Sequence, residues 1–317
     1  MRRISLIIFL SISFTLAGLG QNLPQFDNYF TNKLFYNPAF TGIENFTEIQ
    51  ALYRSQWKTI DESPKTFVLA LHAPTGNSAQ QFGFSQTKVG RESPYRIRLP
   101  YNRHSGIGTS IYVDRIGPFR RWEITPSYAM HLPLTEETQL SLGLGLNISN
   151  TSLIDNDLTP TMSGDPLIDG FQNQSSISVK TGILLSGFNG HIGVSLDNHS
   201  QLIAFGSRKL FDLHYGVELW GLATYRRNEI GATSWDAGVN ISWQAKVYSG
   251  IVRRDNNELL FLGGFNWRQN TMGFNFLYNF GVGRQNLSQG RNHSMEFSLI
   301  MRLTKQGFLP CFGTGAF

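Results

Sequence analysis

The chain is short of three things: cysteine, charge and long apolar runs. Cys311 is the single cysteine in 317 residues, which excludes an intrachain disulfide and any zinc site built on several thiolates. Charged residues make up 15% of the sequence, against roughly 25% in an ordinary soluble domain. The net charge of +5 includes Arg2 and Arg3, and the other basic residues are scattered among acids and turns. Nucleic acid leaves a clustered basic stripe, so no nucleic-acid partner is expected. After residue 16 no stretch approaches the roughly 20 apolar residues of a membrane-spanning helix, and a helical membrane protein is excluded.

At the start, Arg2 and Arg3 precede an apolar run from Ile4 to Leu16, and the small residues Ala17, Gly18 and Gly20 lead to Gln21. This is the layout of a secretory signal peptide, shorter than a spanning helix. Residues 1–20 are therefore expected to be a signal peptide cleaved near Gly20. No cysteine follows the run, so no lipid anchor is expected there.

What the chain does have is a period of two. Leu140, Leu142, Leu144, Leu146 and Ile148 alternate with Ser141, Gly143, Gly145, Asn147 and Ser149. A strand turns successive side chains to opposite faces, so this pattern makes one face apolar and the other small or polar. The 13% aromatic content and 32 glycines suit strands joined by tight turns. Mean hydropathy of −0.18 looks soluble, yet a barrel in lipid needs only alternate residues apolar.

The same beat recurs at Thr47–Trp57, Phe67–Leu71, Ile107–Val113, Trp122–Leu132 with a bulge expected at Pro126, Ile177–Ser186 and His191–Asp197. It continues through Leu210–Tyr225, which is one tilted strand or two, then Trp235–Trp243, Lys246–Arg253, Leu259–Trp267, Met272–Phe280 and Met295–Leu303. That makes about thirteen strands, while single-chain bacterial barrels use an even number. A hairpin hidden within 208–226 or a strand near Phe82 brings the total to 14, and demoting one run brings it to 12.

A soluble sandwich and a barrel both fit alternation. A sandwich would carry charged side chains on its polar face, whereas here that face is mostly glycine, serine, asparagine and threonine, which suits a narrow wet lumen. Trp122, Tyr225, Trp235, Trp243, Trp267 and Tyr278 lie near strand ends, where interfacial girdles sit. The expected fold is all-β: a transmembrane antiparallel outer-membrane β-barrel of about 12–14 strands with an N-terminal arm or plug, surrounded by outer-membrane lipid. Residues 21–46 form the arm and 47–317 the barrel, with long loops at 73–104 and 150–176 and a short C-terminal tail.

Individual residues carry modest functional signals. Asn37-Pro38-Ala39 with Gly42 reads either as a rigid turn seating the arm in or below the barrel or as an ordinary turn at the start of a strand. Arg54, if it points into the lumen, organises carboxylates or amide carbonyls there through its planar fork. Asp155, Asp157, Asp165 and Asp169 invite a calcium ion, but their spacing does not match an EF-hand and fits a solvated loop. For serine hydrolase chemistry, His104-Ser105 and His293-Ser294 fall on opposite strand faces, and His131 has no evident partner. No enzyme activity, cofactor or metal is expected.

An ordered set of short motifs resembles the PorP/SprF family. It comprises Phe35-Tyr36-Asn37-Pro38-Ala39-Phe40-Thr41-Gly42, Tyr53-Arg54-Ser55-Gln56-Trp57, Ser63-Pro64-Lys65-Thr66 and His72-Ala73-Pro74. Val113-Asp114-Arg115-Ile116-Gly117-Pro118 and Asp165-Pro166-Leu167 follow. The likeness covers essentially the whole mature chain, except that 208–234 looks short for a full hairpin and Gly307–Phe317 is an unpatterned extension. It implies a non-enzymatic outer-membrane component of type IX secretion or of surface attachment of gliding adhesins. The implied partners are periplasmic peptidoglycan-linked lipoproteins of the machinery and C-terminal domains of exported cargo. The motif residues Asn37, Pro38, Ala39, Gly42, Arg54, Gln56, Trp57, Pro64, Lys65, Asp114, Gly117 and Pro118 are then structural or partner-docking. The alternative is a porin or substrate channel, with Ser141, Gly143, Gly145, Asn147, Gly238, Asn240 and Ser242 lining an open path.

Overall fold

The computed structural model describes residues 31–44, 46–56, 63–75, 103–135, 137–153, 173–197, 201–228, 231–255, 258–267, 271–281 and 293–303. The expected signal peptide, Trp57, the segment near Phe82, the four loop aspartates and the tail with Cys311 lie outside the described residues.

Fourteen antiparallel strands close into one barrel. They are β1 (Thr47–Gln56), β2 (Lys65–Thr75), β3 (His104–Ile116), β4 (Phe119–Pro133), β5 (Thr138–Leu153), β6 (Gln174–Gly187) and β7 (Gly190–Asp197), then β8 (Leu202–Leu213), β9 (Val217–Arg227), β10 (Thr233–Trp243), β11 (Val247–Arg254), β12 (Glu258–Trp267), β13 (Met272–Gly281) and β14 (His293–Leu303). Each pairs with its neighbours in sequence, and β14 closes on β1 with Thr47 opposite Leu303. Closure leaves no unpaired edge, the condition for strands to cross a bilayer. The rim where β1 begins and β14 ends is the near rim, and the opposite one the far rim.

The extra strand comes from the Leu210–Tyr225 run, which is a hairpin. β8 and β9 are joined by a tight turn at His214–Gly216, with Tyr215 at φ 67° and Gly216 at φ 73°. The hairpin spans Leu202–Arg227, so the region 208–234 holds only the end of β8, all of β9 and the start of β10. Pro126 is not a bulge: Ile124 opposes Ile148 and Ser127 opposes Gly145, so the register is the same on both sides of it. It drops out of the ladder to β5, having no N–H to give, but inserts no extra residue. The irregularity lies in β8, between Lys209 and Phe211.

The outward face is apolar as the period predicts. Leu144 is 54% exposed while Ser141, on the opposite face of the same strand, is fully buried. Tyr225 and Trp235 point outward near the far rim, and Trp243 and Trp267 near the other. The lumen differs from expectation. It is packed around an apolar cluster that includes Leu52, Val68, Tyr112, Leu184, Phe205, Trp220, Leu222, Tyr248, Leu260 and Leu277 together with Phe35, Tyr36, Ala39, Phe40 and Ile43 from the arm. Runs such as Ile183-Leu184-Leu185 and Leu259-Leu260-Phe261-Leu262 are apolar on both faces, which hides the inward residues from an alternation test.

Candidate functional site

The arm runs inside the barrel and is built from local chain chemistry. A single helical turn, Lys33–Tyr36, leads to a 3₁₀ turn, Pro38–Phe40. Asn37 caps the second turn, its Oδ1 accepting from the Ala39 N–H at 2.8 Å, and Pro38 fills a first position that needs no donor. Gly42 ends the segment at φ 64°, a left-handed conformation glycine adopts without strain.

Side chains of β2, β4, β6 and β7 hold this backbone. The Asn37 amide donates to the carbonyls of Ile183 at 3.4 Å and Val194 at 3.3 Å. Lys180 Nζ donates to the Phe35 carbonyl at 3.0 Å and sits 4.9 Å from that ring's centroid. Ser195 donates to the Tyr36 carbonyl at 2.7 Å, and Thr41 Oγ1 to Ser127 at 2.8 Å. The Gly42 N–H donates to His72 Nδ1 at 3.2 Å. These bonds satisfy arm groups that would otherwise be buried and unpaired, at a cost of about 1–3 kcal/mol each.

His131 has a partner after all, two of them. Its Nε2 lies 2.9 Å from the Thr41 carbonyl and its Nδ1 2.7 Å from Ser141 Oγ. A carbonyl only accepts, so Nε2 carries the proton and Nδ1 accepts from the serine. His131 and Ser141 are fully buried, and through the Thr41 carbonyl the pair anchors the arm. His104 stacks on His131 at 4.5 Å between centroids.

The wall is shaped for the arm. A methyl group on Gly143 would overlap the backbone of Pro38 and Ala39, one on Gly182 the Asn37 side chain, and one on Gly106 the backbone at Thr41 and Gly42. The channel alternative would have Gly143 line an open path; in the structure the arm lies against it. Asn240 and Ser242, on the opposite wall, are also buried.

Toward the far rim the lumen is charged and largely self-compensating. Arg54 points inward, 2% exposed, with Nε 3.3 Å from Glu296 Oε1. Asp236 on β10 takes Arg226 at 2.6 Å and Arg254 at 2.9 Å from the two strands beside it, and Arg254 reaches Glu258 at 3.2 Å. Paired guanidinium and carboxylate groups tolerate burial that a lone charge would not. Thr66 donates to Asp114 at 2.6 Å. Arg302, Glu48 and His72 form a separate chain at the near rim, the first contact being 3.0 Å and the second 3.6 Å.

The motif residues thus fall into two groups. Asn37, Pro38, Ala39 and Gly42 lie together in the arm. Arg54, Gln56, Pro64, Lys65, Asp114, Gly117 and Pro118 gather at the far rim of β1–β4, where the Gln56 N–H donates to the Pro64 carbonyl at 3.0 Å. Sequence reasoning missed Lys180, Ser195 and the roles of Gly106 and Gly182, and it placed His72 in a motif without its contact to the arm. For Ser195, Gly106 and Gly182 the trace is a recurrence of small residues on alternate positions of β3–β7. Outside the lumen, a concavity of about 1110 Å³ along β6–β10 has Leu185, Ile192, Val194, Tyr225, Trp235 and Val239 in its walls. Among the described residues no group of three or more His, Cys, Asp or Glu side chains is placed to hold a metal ion.

Among solved structures the chain is similar to the CymD monoaromatic hydrocarbon channel, at 9% identity and a TM-score of 0.49, covering 90% of this chain and 94% of that one. It is also similar to the Ralstonia pickettii toluene transporter TbuX, at 8% identity and a TM-score of 0.48, covering 86% and 92%. Acinetobacter baumannii Omp33 matches at 8% identity with a TM-score of 0.44, covering 83% and 100%. No curated protein matches. The model of the type IX secretion system membrane protein PorP/SprF matches residues 18–202, more than half of the sequence. This closed barrel, with its arm packed inside, therefore belongs to the PorP/SprF family and is an outer-membrane component of type IX secretion.

Proposed function

We propose that the protein is a non-enzymatic scaffold of type IX secretion or of surface-adhesin attachment, binding exported cargo on one side of the membrane and periplasmic lipoproteins of the machinery on the other. The observation that carries this reading is the filled lumen. With the arm bonded to β2, β4, β6 and β7 and an apolar cluster across the barrel, the described interior offers rigidity, and binding falls to rims, loops and arm. The motif residues divide in the same sense: Asn37, Pro38, Ala39 and Gly42 set the arm, while Arg54, Gln56, Pro64, Lys65, Asp114, Gly117 and Pro118 shape the far rim. Trp57 belongs with the second group by sequence.

Gentle detergent extraction of tagged protein from its native outer membrane, followed by identification of what co-purifies, tests the proposal. Recovery of secretion-machinery lipoproteins or a large surface protein supports the scaffold. Recovery of the barrel alone from an extract that contains them, together with single-channel current from the purified protein, favours a channel instead. Separate deletion of the two long loops and the arm should abolish surface display of cargo while the barrel still assembles; unchanged display in all three sinks the scaffold reading.

A further inference from the structure

On β5 the outward side chains from residue 140 to 148 are all leucine or isoleucine. On β8–β10 the outward wall is cut back to small residues: Ala204 and Gly206 on β8, Gly221 and Ala223 on β9, and Ala237 on β10, with Ala223 directly opposite both Gly206 and Ala237. These residues floor the concavity of about 1110 Å³. Ile192 and Val194 on β7, opposite Gly206 and Ala204, stand along one side, while Tyr225 and Trp235, opposite one another on β9 and β10, close the end toward the far rim. Phe205 and Leu222 are buried on the inner side of the same wall. The groove therefore belongs to the lipid-facing surface and not to the lumen.

Its near-rim end is polar. One outward step from Gly206 along β8 stands Arg208, exposed and lining the concavity, opposite Gly190 on β7 and Gly221 on β9. Gly190 opposes Gly187, and Gly187 opposes Thr138. The exposed Glu137, which also lines the concavity, is thus set across a bare pair of glycines from Arg208. Lys209, next in sequence, takes Asp212 and Glu218, each at 3.2 Å, whereas among the described residues nothing pairs with the side chain of Arg208 or of Glu137. The mouth of the groove holds one uncompensated charge of each sign.

These two parts define the occupant. Hydrocarbon, not water, meets the outward face of a closed barrel within the bilayer, so the groove takes an acyl chain. Arg208 and Ala204 are four residues apart on β8, about 13 Å at the rise of a strand, which lets the chain lie along the wall with its headgroup at the rim. A guanidinium fork matches phosphate oxygens in pairs, and a carboxylate across from it receives an amine. We propose that the groove is a fixed phospholipid site for phosphatidylethanolamine, with the phosphate on Arg208, the ammonium at Glu137 and one acyl chain over Gly206, Ala223 and Ala204 as far as Tyr225 and Trp235. The chemistry is the same whichever leaflet the near rim meets.

The test uses the full chain in detergent micelles, titrated by native mass spectrometry with phosphatidylethanolamine, phosphatidylglycerol and diacylglycerol of the same acyl chains. Phosphatidylethanolamine is expected to bind most tightly and diacylglycerol least. Arg208→Gln should weaken phosphatidylethanolamine by about tenfold, the effect of one hydrogen-bonded charged contact, and Ala223→Phe, which fills the groove with an apolar ring, should lose the bound lipid. Ala51→Phe, an outward position on β1 away from the groove, should bind as the wild type does. Equal binding of phosphatidylethanolamine and diacylglycerol, or undiminished binding by Arg208→Gln, overturns the phosphate contact and with it the site. Undiminished binding by Ala223→Phe, or an equal loss in Ala51→Phe, overturns the groove as the seat of the chain. Phosphatidylglycerol bound as tightly as phosphatidylethanolamine overturns the headgroup assignment. Should Ala223→Phe fail to assemble, the comparison of the three lipids on the wild type and the Arg208→Gln variant decide.

Discussion

The barrel has two kinds of inner wall. On β3–β7 the inward positions are mainly small or polar, as in Gly106, Gly108, Ser127, Ser141, Gly143, Gly182 and Ser195, with Tyr112 and Leu184 as exceptions. This wall acquires its apolar partners from the arm, through Phe35, Tyr36, Ala39 and Phe40. On β9–β14 the wall fills its own space with Trp220, Leu222, Tyr248, Leu260, Leu262 and Leu277, and places the Arg226–Asp236–Arg254–Glu258 network above them. The first wall is a socket whose packing depends on a separate segment; the second is a core in its own right. Glycine therefore means something different on each. At Gly143 and Gly182 it clears room for the arm, whereas at Gly238 and Gly250 the nearest neighbours of an added methyl are adjacent strands.

Breaking the self-filled wall should have the largest effect. Asp236→Ala leaves two buried guanidinium groups without their shared carboxylate and should cost about 3–5 kcal/mol, read as a lowered midpoint of urea unfolding in lipid vesicles. The arm should stay protected from protease until the barrel unfolds. On the outer side of the socket wall, Leu144→Arg places a cation against hydrocarbon and should cost about 2–4 kcal/mol. Slower assembly, seen as loss of heat-modifiable gel mobility, would check it.

Filling the socket tests the comparison most directly. Gly143→Val should destabilise by about 1–3 kcal/mol and release the arm, so that protease removes residues before β1 while the barrel keeps its folded mobility. An arm that remains protected would mean the socket is not what seats it. The smallest effect is expected at the β10–β11 hairpin, whose turn holds Gln244 at φ 49° and Ala245 at φ 53°, with Lys246 N–H donating to the Trp243 carbonyl at 2.9 Å. Two positive φ values match the twist of paired strands but suit glycine or asparagine. Ala245→Gly should raise unfolding stability by about 1 kcal/mol, measured in the same urea series.

Legibility varied with how far apart the interacting residues lie in sequence. The outward leucines of β5 are legible because alternation is local and lipid selects every second residue. The hairpin of β8 and β9 was obscured because Leu213, His214, Tyr215, Gly216 and Val217 continue a strand-like pattern, and a tyrosine at positive φ is not a turn signal. Arg54 has the chemistry to organise carboxylates or carbonyls in a lumen, but its partner Glu296 is 242 positions away and only closure of β14 on β1 brings them together. His131 looked unpartnered for the same reason: Ser141 meets it through strand register, and the Thr41 carbonyl through the seating of the arm.

By itself the sequence determined that the chain is β, that it meets lipid with alternate residues, and where most strands lie, since each of these follows from side-chain chemistry within a few residues. Only the tertiary structure decided the strand number, the filled lumen and the docking of Asn37–Gly42. Those depend on register and closure, which bring distant residues together and turn small side chains that look like the lining of an open path into the walls of a socket.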